Sequence, residues 1–152
     1  MLVTEGLLRR FDPRRTDNPK HIIIDEGDSP ARVVLASGAL RFDSDGCSTF
    51  REPILARLGM TVSDLLIKPH GTGIARTTKN AVDSYEHLVG ETSYNPFSAI
   101  ASPIVREEPS EAESTDKAHA SIVMTDCGIS RSQQKRAQSG LAKRAFTIIH
   151  GL

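Results

Sequence analysis

Apolar positions fall in short runs separated by Gly, Pro, Asp and Asn, a rhythm that predicts many short strands and few long helices. Leu7, Leu8 and Phe11 read as one apolar turn, followed by an exposed loop over 12–20. His21 to Ile24 is a β-branched run, and Arg32 to Ala36 and Gly38 to Phe42 are two further strand candidates. Asp43-Ser44-Asp45-Gly46 is a strong turn signal, because Asp-Gly accepts positive φ and side-chain-to-backbone hydrogen bonds. Cys47 to Phe50 resumes as an extended segment.

Two short central helices follow. Glu52-Pro53 opens the first, Ile54, Leu55 and Leu58 give its apolar stripe, and Gly59 stops it. Thr61-Val62-Ser63-Asp64 has the form of a capping box, with Val62, Leu65 and Leu66 as the buried face and Lys68-Pro69 as the stop. Ile74 to Thr78 predicts a strand, and Ala81 to Val89 fits strand or helix. Asn95-Pro96-Phe97 reads as a loop, and Pro103 makes any strand near Ile100 and Ile104 short or an edge strand.

The late part of the chain has the clearest alternation. From Ala118 to Thr125, Ala118, Ala120, Ile122 and Met124 share one face, and His119, Ser121 and Val123 share the other. Ser130 is placed to cap a C-terminal helix whose apolar face is thin and carries Gly140. Phe146, Ile148 and Ile149 anchor the tail. The fold expected is α+β: a single domain with a mainly antiparallel sheet of about five or six strands, two short central helices and a basic C-terminal helix. The segments 12–20 and 106–117 are expected to be mobile surface loops.

Composition agrees with a globular chain: 152 residues, 38% hydrophobic and 25% charged. No apolar run approaches the roughly 18 residues that span a bilayer, and the N-terminus lacks the pattern of a signal peptide. The expected setting is therefore cytoplasmic, with no membrane partner. Cys47 and Cys127 are then expected to be thiols rather than a bridge. Only five Phe, two Tyr and no Trp are present, too few to build a core and a stacking platform for bases as well.

Charge adds what composition hides. The formal net charge is zero, yet five acidic residues and no basic one lie between Glu107 and Asp116, and no acidic residue follows Asp126. Arg131, Lys135, Arg136, Lys143 and Arg144 lie within one helix-like stretch. A basic helix meets phosphates or acidic protein surface; neutral overall charge favours a solvated face that pairs with the acidic loop of the same chain, or a protein partner, with nucleic acid after these. The oligomeric state is not legible.

Candidate chemistry is sparse. His119, at the start of a strand with Asp116 upstream to orient it, has the setting of a general acid/base. Ser48 and Arg51 follow a tight turn, an arrangement suited to phosphate, although Asp43 and Asp45 oppose an anion there. Asp43-x-Asp45-Gly46 lacks the remaining ligands of a calcium loop. His70-Gly71-Thr72-Gly73 has no G-x-S-x-G partner, and neither a dinucleotide fingerprint nor a Walker motif is present. Glu111-Ala112-Glu113, with Ser48-Thr49 and Arg32 or Arg41, has pieces of an ADP-ribosyltransferase pattern, but its carboxylates lie in a solvated acidic run. His21, Cys47, His70, His87, His119, Cys127 and His150 are scattered without zinc-site spacing, so no metal or cofactor is expected.

The stretch from Phe42-Asp43-Ser44-Asp45-Gly46-Cys47-Ser48-Thr49-Phe50-Arg51 through Ala118-His119-Ala120-Ser121-Ile122-Val123 resembles small uncharacterised bacterial proteins. These pair a Ser-rich turn and an Arg with a late Ala-His-Ala strand and a basic end. The matching residues are Ser48, Arg51, His119 and the cations after Ser130, and the resemblance implies no activity. Two functions remain open. One is a non-enzymatic interaction subunit of a bacterial multicomponent system, for which a defence or toxin–antitoxin setting fits the size, binding through the C-terminal helix. The alternative is a small enzyme acting on a nucleotide or nucleic acid, with His119 as acid/base, Arg51 as phosphate clamp and Ser48 as hydrogen-bond donor.

Overall fold

The computed structural model of the chain describes residues 1–17, 19–27, 31–66, 71–107 and 113–151, without the side chains of Glu113 and Ser114. The Lys68-Pro69 stop, His70, Glu111-Ala112 and the middle of the acidic segment lie outside these residues. Six antiparallel strands form the main sheet. From edge to edge they are β10 (Thr147–His150), β5 (Gly73–Thr78), β1 (Gly6–Phe11), β4 (Cys47–Arg51), β9 (His119–Met124) and β8 (Phe97–Ala101). Two hairpins, β2 (Ile22–Asp25) with β3 (Arg32–Leu35) and β6 (His87–Val89) with β7 (Thr92–Tyr94), stand beside it. The helices are α1 (Glu52–Arg57), α2 (Lys79–Asp83), α3 (Glu113–Ala118) and α4 (Arg131–Ala145), with 3-10 turns at Ser37–Ala39 and Val62–Leu65.

The expected α+β architecture is the one formed, and several elements follow the sequence pattern closely. The Thr61–Asp64 capping box is made, with the Thr61 amide donating to Asp64 Oδ2 at 2.7 Å. Ser130 caps α4, its Oγ accepting from the Gln133 amide at 3.2 Å. Gly46 takes φ of +93° in the turn before β4, and the Asp45 amide donates to Asp43 Oδ1 at 3.0 Å. The ambiguous stretch 81–89 resolves into the end of α2 and then β6.

Other elements differ for physical reasons. Residues 6–11 form the central strand β1, not an isolated turn. Leu7 and Phe11 face one layer and Leu8 the other, so the strand is covered on both sides and does not alternate. Residues 38–42 are not a strand. The Ala39 carbonyl accepts from Arg9 Nε at 2.9 Å, and Ala39 and Leu40 are buried by packing rather than by pairing. Phe97 opens β8 instead of continuing a loop. The second half of segment 106–117 is helical, as α3, and Asp116 within it is buried.

Two hydrophobic layers sandwich the sheet. On one face, Leu7, Phe11, Ala75, Ala120 and Ile122 pack against Ala137, Leu141 and Ala142 of α4 and Leu35 of β3. On the other, Leu8, Phe50 and Ile74 pack against Leu55 of α1, Leu65 and Ala118. Complete burial of Leu141 contributes about 2 kcal/mol. The small Ala137 and Ala142 let α4 lie close to the sheet. At the β8 edge, Lys79 Nζ donates to the Ala99 carbonyl at 2.8 Å and the Ala99 amide donates to Asp83 Oδ1 at 2.8 Å. Lys79 and Asp83 also pair with each other at 2.6 Å.

Candidate functional site

Pleating sorts the expected site residues between faces. Ser48 stands opposite Ser121 and Phe50 opposite His119 in the β4–β9 ladder, so Ser48, His119 and Ser121 share one face. Ser48 Oγ lies 2.8 Å from His119 Nε2. His119 Nδ1 lies 2.9 Å from the Ser102 carbonyl oxygen and 2.9 Å from Ser102 Oγ. Ser102 Oγ is in turn 2.8 Å from Ser121 Oγ. Arg9 steadies the Ser48 backbone, its Nη1 donating to the Ser48 carbonyl at 2.9 Å. These groups line an open cleft of about 460 Å3 whose other walls are Asp43, Asp45, Ile100 and Ile104.

Arg51 is not part of this cleft. It lies three positions after Ser48 on β4, on the opposite pleat, and its guanidinium grips buried Glu5 through Nε at 2.7 Å and Nη2 at 2.9 Å. That bond holds the Arg51 guanidinium protonated more firmly than usual. The nucleotide-enzyme alternative therefore loses its phosphate clamp. Asp116 does not orient His119 either. Arg106 donates to it through Nε at 2.5 Å and Nη2 at 3.2 Å, and this pairing holds the Asp116 carboxyl below the ordinary carboxylate range. The orienting role falls to Ser102, at the end of β8, which no local sequence signal marks. Ser121 was readable from its alternation with His119.

The cations of α4 divide. Arg131, Lys135, Arg136 and Arg144 are exposed, and none of them forms an ion pair with a described carboxylate. Lys143 is different: its Nζ lies 3.2 Å from Asp25 Oδ1 at the end of β2. Burial pushes the Asp25 carboxyl up, but hydrogen bonds from Lys143 and the Gly27 amide outweigh it and hold the group below its usual range. Arg131 and Lys135 border a cleft with Asp43, Gln134 and Gln138, while Arg136 and Arg144 border another with Tyr85, Glu86 and His87. Burial pushes the Tyr85 phenol up, and Arg144, hydrogen-bonded to it, works against that. The helix of the acidic segment, α3, packs on α1 and β4, on the face of the sheet away from α4. Its described carboxylate, Asp116, is taken by Arg106 and does not neutralise the basic helix.

Cys47 and Cys127 are free thiols, and burial pushes the Cys47 thiol up, away from a reactive thiolate. Among the described residues, no group of three metal-ligating side chains converges. No described helix is long and apolar enough to cross a membrane. Compared with known protein families, characterised proteins and solved structures, the chain matches none.

Proposed function

We propose that the chain is an interaction subunit that docks an acidic partner through α4. The observation carrying this reading is the exposure of Arg131, Lys135, Arg136 and Arg144 along α4, unpaired with described carboxylates while α3 lies on the other face. Four cations presented along one rigid helix match an extended anionic surface better than a single small anion, because they open into two separate clefts. Zero net charge and the shortage of aromatics favour acidic protein over nucleic acid as that surface. Lys143 leaves the set, since Asp25 holds it.

Affinity purification from the native host, with and without nuclease, tests the reading. Lys135→Glu with Arg136→Glu abolishes partner capture while circular dichroism shows an intact fold. Capture that is indifferent to the charge reversal rejects this surface, and capture lost only on nuclease treatment transfers the partner class to nucleic acid.

A further inference from the structure

The Ser48–His119 cleft lies off the basic helix and carries chemistry of its own. The Ser102 carbonyl oxygen can only accept, and it lies 2.9 Å from His119 Nδ1, so Nδ1 holds the imidazole proton. Nε2 then presents its lone pair to Ser48 Oγ at 2.8 Å, and the Ser48 hydroxyl donates to it. This is the proton arrangement an activated serine needs: nucleophile on base, base oriented by a third group. The hydroxyl chain has a direction as well. Ser102 Oγ faces the Nδ1 proton and accepts, which leaves its own hydrogen free to point to Ser121 Oγ at 2.8 Å, the direction the site requires. In that arrangement the Ser121 hydrogen is available to an acceptor in the cleft. Ser121 is directly across from Ser48, with cross-strand Cβ atoms about 4.5–5.5 Å apart.

We propose that this cleft is an acyl-transfer site, with Ser48 as nucleophile, His119 as general base and Ser121 as donor to the developing oxyanion, acting on small esters with an uncharged or cationic acyl group. The carboxylates of Asp43 and Asp45 on the rim repel anionic substrates, and the half-exposed Ile100 and Ile104 supply an apolar wall. Its volume, about 460 Å3, fits a small ligand. In the first step Ser48 Oγ bonds to the ester carbonyl carbon while its proton moves to His119 Nε2, and the carbonyl electron pair moves onto oxygen. Collapse of that adduct breaks the bond to the leaving alkoxide, which takes the proton from His119. Water then attacks the acyl-Ser48 bond, with His119 again taking the proton, and releases a carboxylic acid and free Ser48. The reaction is independent of α4 and stands or falls apart from the docking reading.

The test uses the full chain with a neutral alkyl fluorophosphonate, which phosphonylates an activated serine and releases fluoride, and with p-nitrophenyl butyrate. Peptide mapping is expected to place the adduct on Ser48. His119→Asn keeps an N–H for the Ser102 carbonyl but removes the base, and is expected to slow labelling and hydrolysis about 10²-fold or more. Ser121→Ala is expected to slow ester hydrolysis about 10²-fold. His119→Gln repeats the base deletion should His119→Asn prove unstable by circular dichroism. Absence of a Ser48 adduct at millimolar probe overturns the site. So does a labelling rate that is the same in wild type and in the folded His119 variant, which would leave the Ser48–His119 bond as a cross-strand tie alone.

Discussion

Arg51 closes on Glu5 with both halves of its guanidinium fork, and Glu5 is only 6% exposed. The pair joins the segment before β1 to the end of β4 and fixes the entrance to the sheet. Glu5→Ala leaves Arg51 half-buried without its acceptor and is expected to cost about 3 kcal/mol in urea unfolding. Arg51→Ala should cost a similar amount and the double variant less than the sum, since each single change strands one partner. Additive losses would show that the two residues act separately.

Gly140 is held to its size by Tyr85. A Cβ at Gly140 would fall on Tyr85 Oη. In an exposed helix Gly→Ala gains about 1 kcal/mol, but here Gly140→Ala is expected to destabilise instead. Tyr85→Phe removes the hydroxyl and leaves ring carbon Cζ at 3.1 Å, a contact that a small shift relieves. Gly140→Ala should therefore be far better tolerated in the Tyr85→Phe background. Equal losses in both backgrounds, read from thermal melts, would contradict the contact.

His21 makes stability fall in mild acid. Its Nδ1 accepts from the Asp12 amide at 2.9 Å, so the folded chain holds the ring neutral. Burial and the nearby Arg15 and Arg9 charges lower its pKa, against an opposing pull from Asp12. The unfolded chain takes up the proton first, at its ordinary value of about 6.5. The contribution is thus whole above that pH, declines as the pH falls through it, and levels off below the folded value. Subtracting the unfolding profile of His21→Gln from that of wild type should isolate this slope. A flat difference would remove His21 from the account.

The α4 cations should separate in stability as they do in geometry. Arg131→Ala is expected to change unfolding free energy by no more than about 0.5 kcal/mol, as an exposed position without an ion pair. Lys143→Ala should lower the unfolding midpoint, because Asp25 keeps a charge with one hydrogen bond fewer. Equal effects would place Lys143 among the docking residues after all.

Much of this arrangement is written locally. The alternation from His119 to Met124 gives the two faces of β9, although Ala118, expected on the Ala120 face, ends α3 and packs in the opposite layer; the Asp43–Gly46 turn and the caps at Thr61 and Ser130 follow from side chains a few positions away. What stays hidden depends on distant partners. β1 shows no alternation because both its faces are covered, and α3 forms where Asp116 finds Arg106 and Ala118 reaches a core shared with Leu55. The candidate site divides in the same way. Ser48 and His119 stand out by residue type, whereas the choice of Ser102 over Asp116 as the partner of His119, and of Glu5 over phosphate as the partner of Arg51, is made by which strands lie side by side.

The crosswise clasp of Lys79 and Asp83 on Ala99 has a consequence for assembly. An incoming peptide that sought to extend the sheet past β8 would find the amide and carbonyl of Ala99, at the strand's midpoint, already engaged, which makes that flank a poorer template for β-augmentation or for chain-on-chain stacking. Recognition from that side has to read side chains.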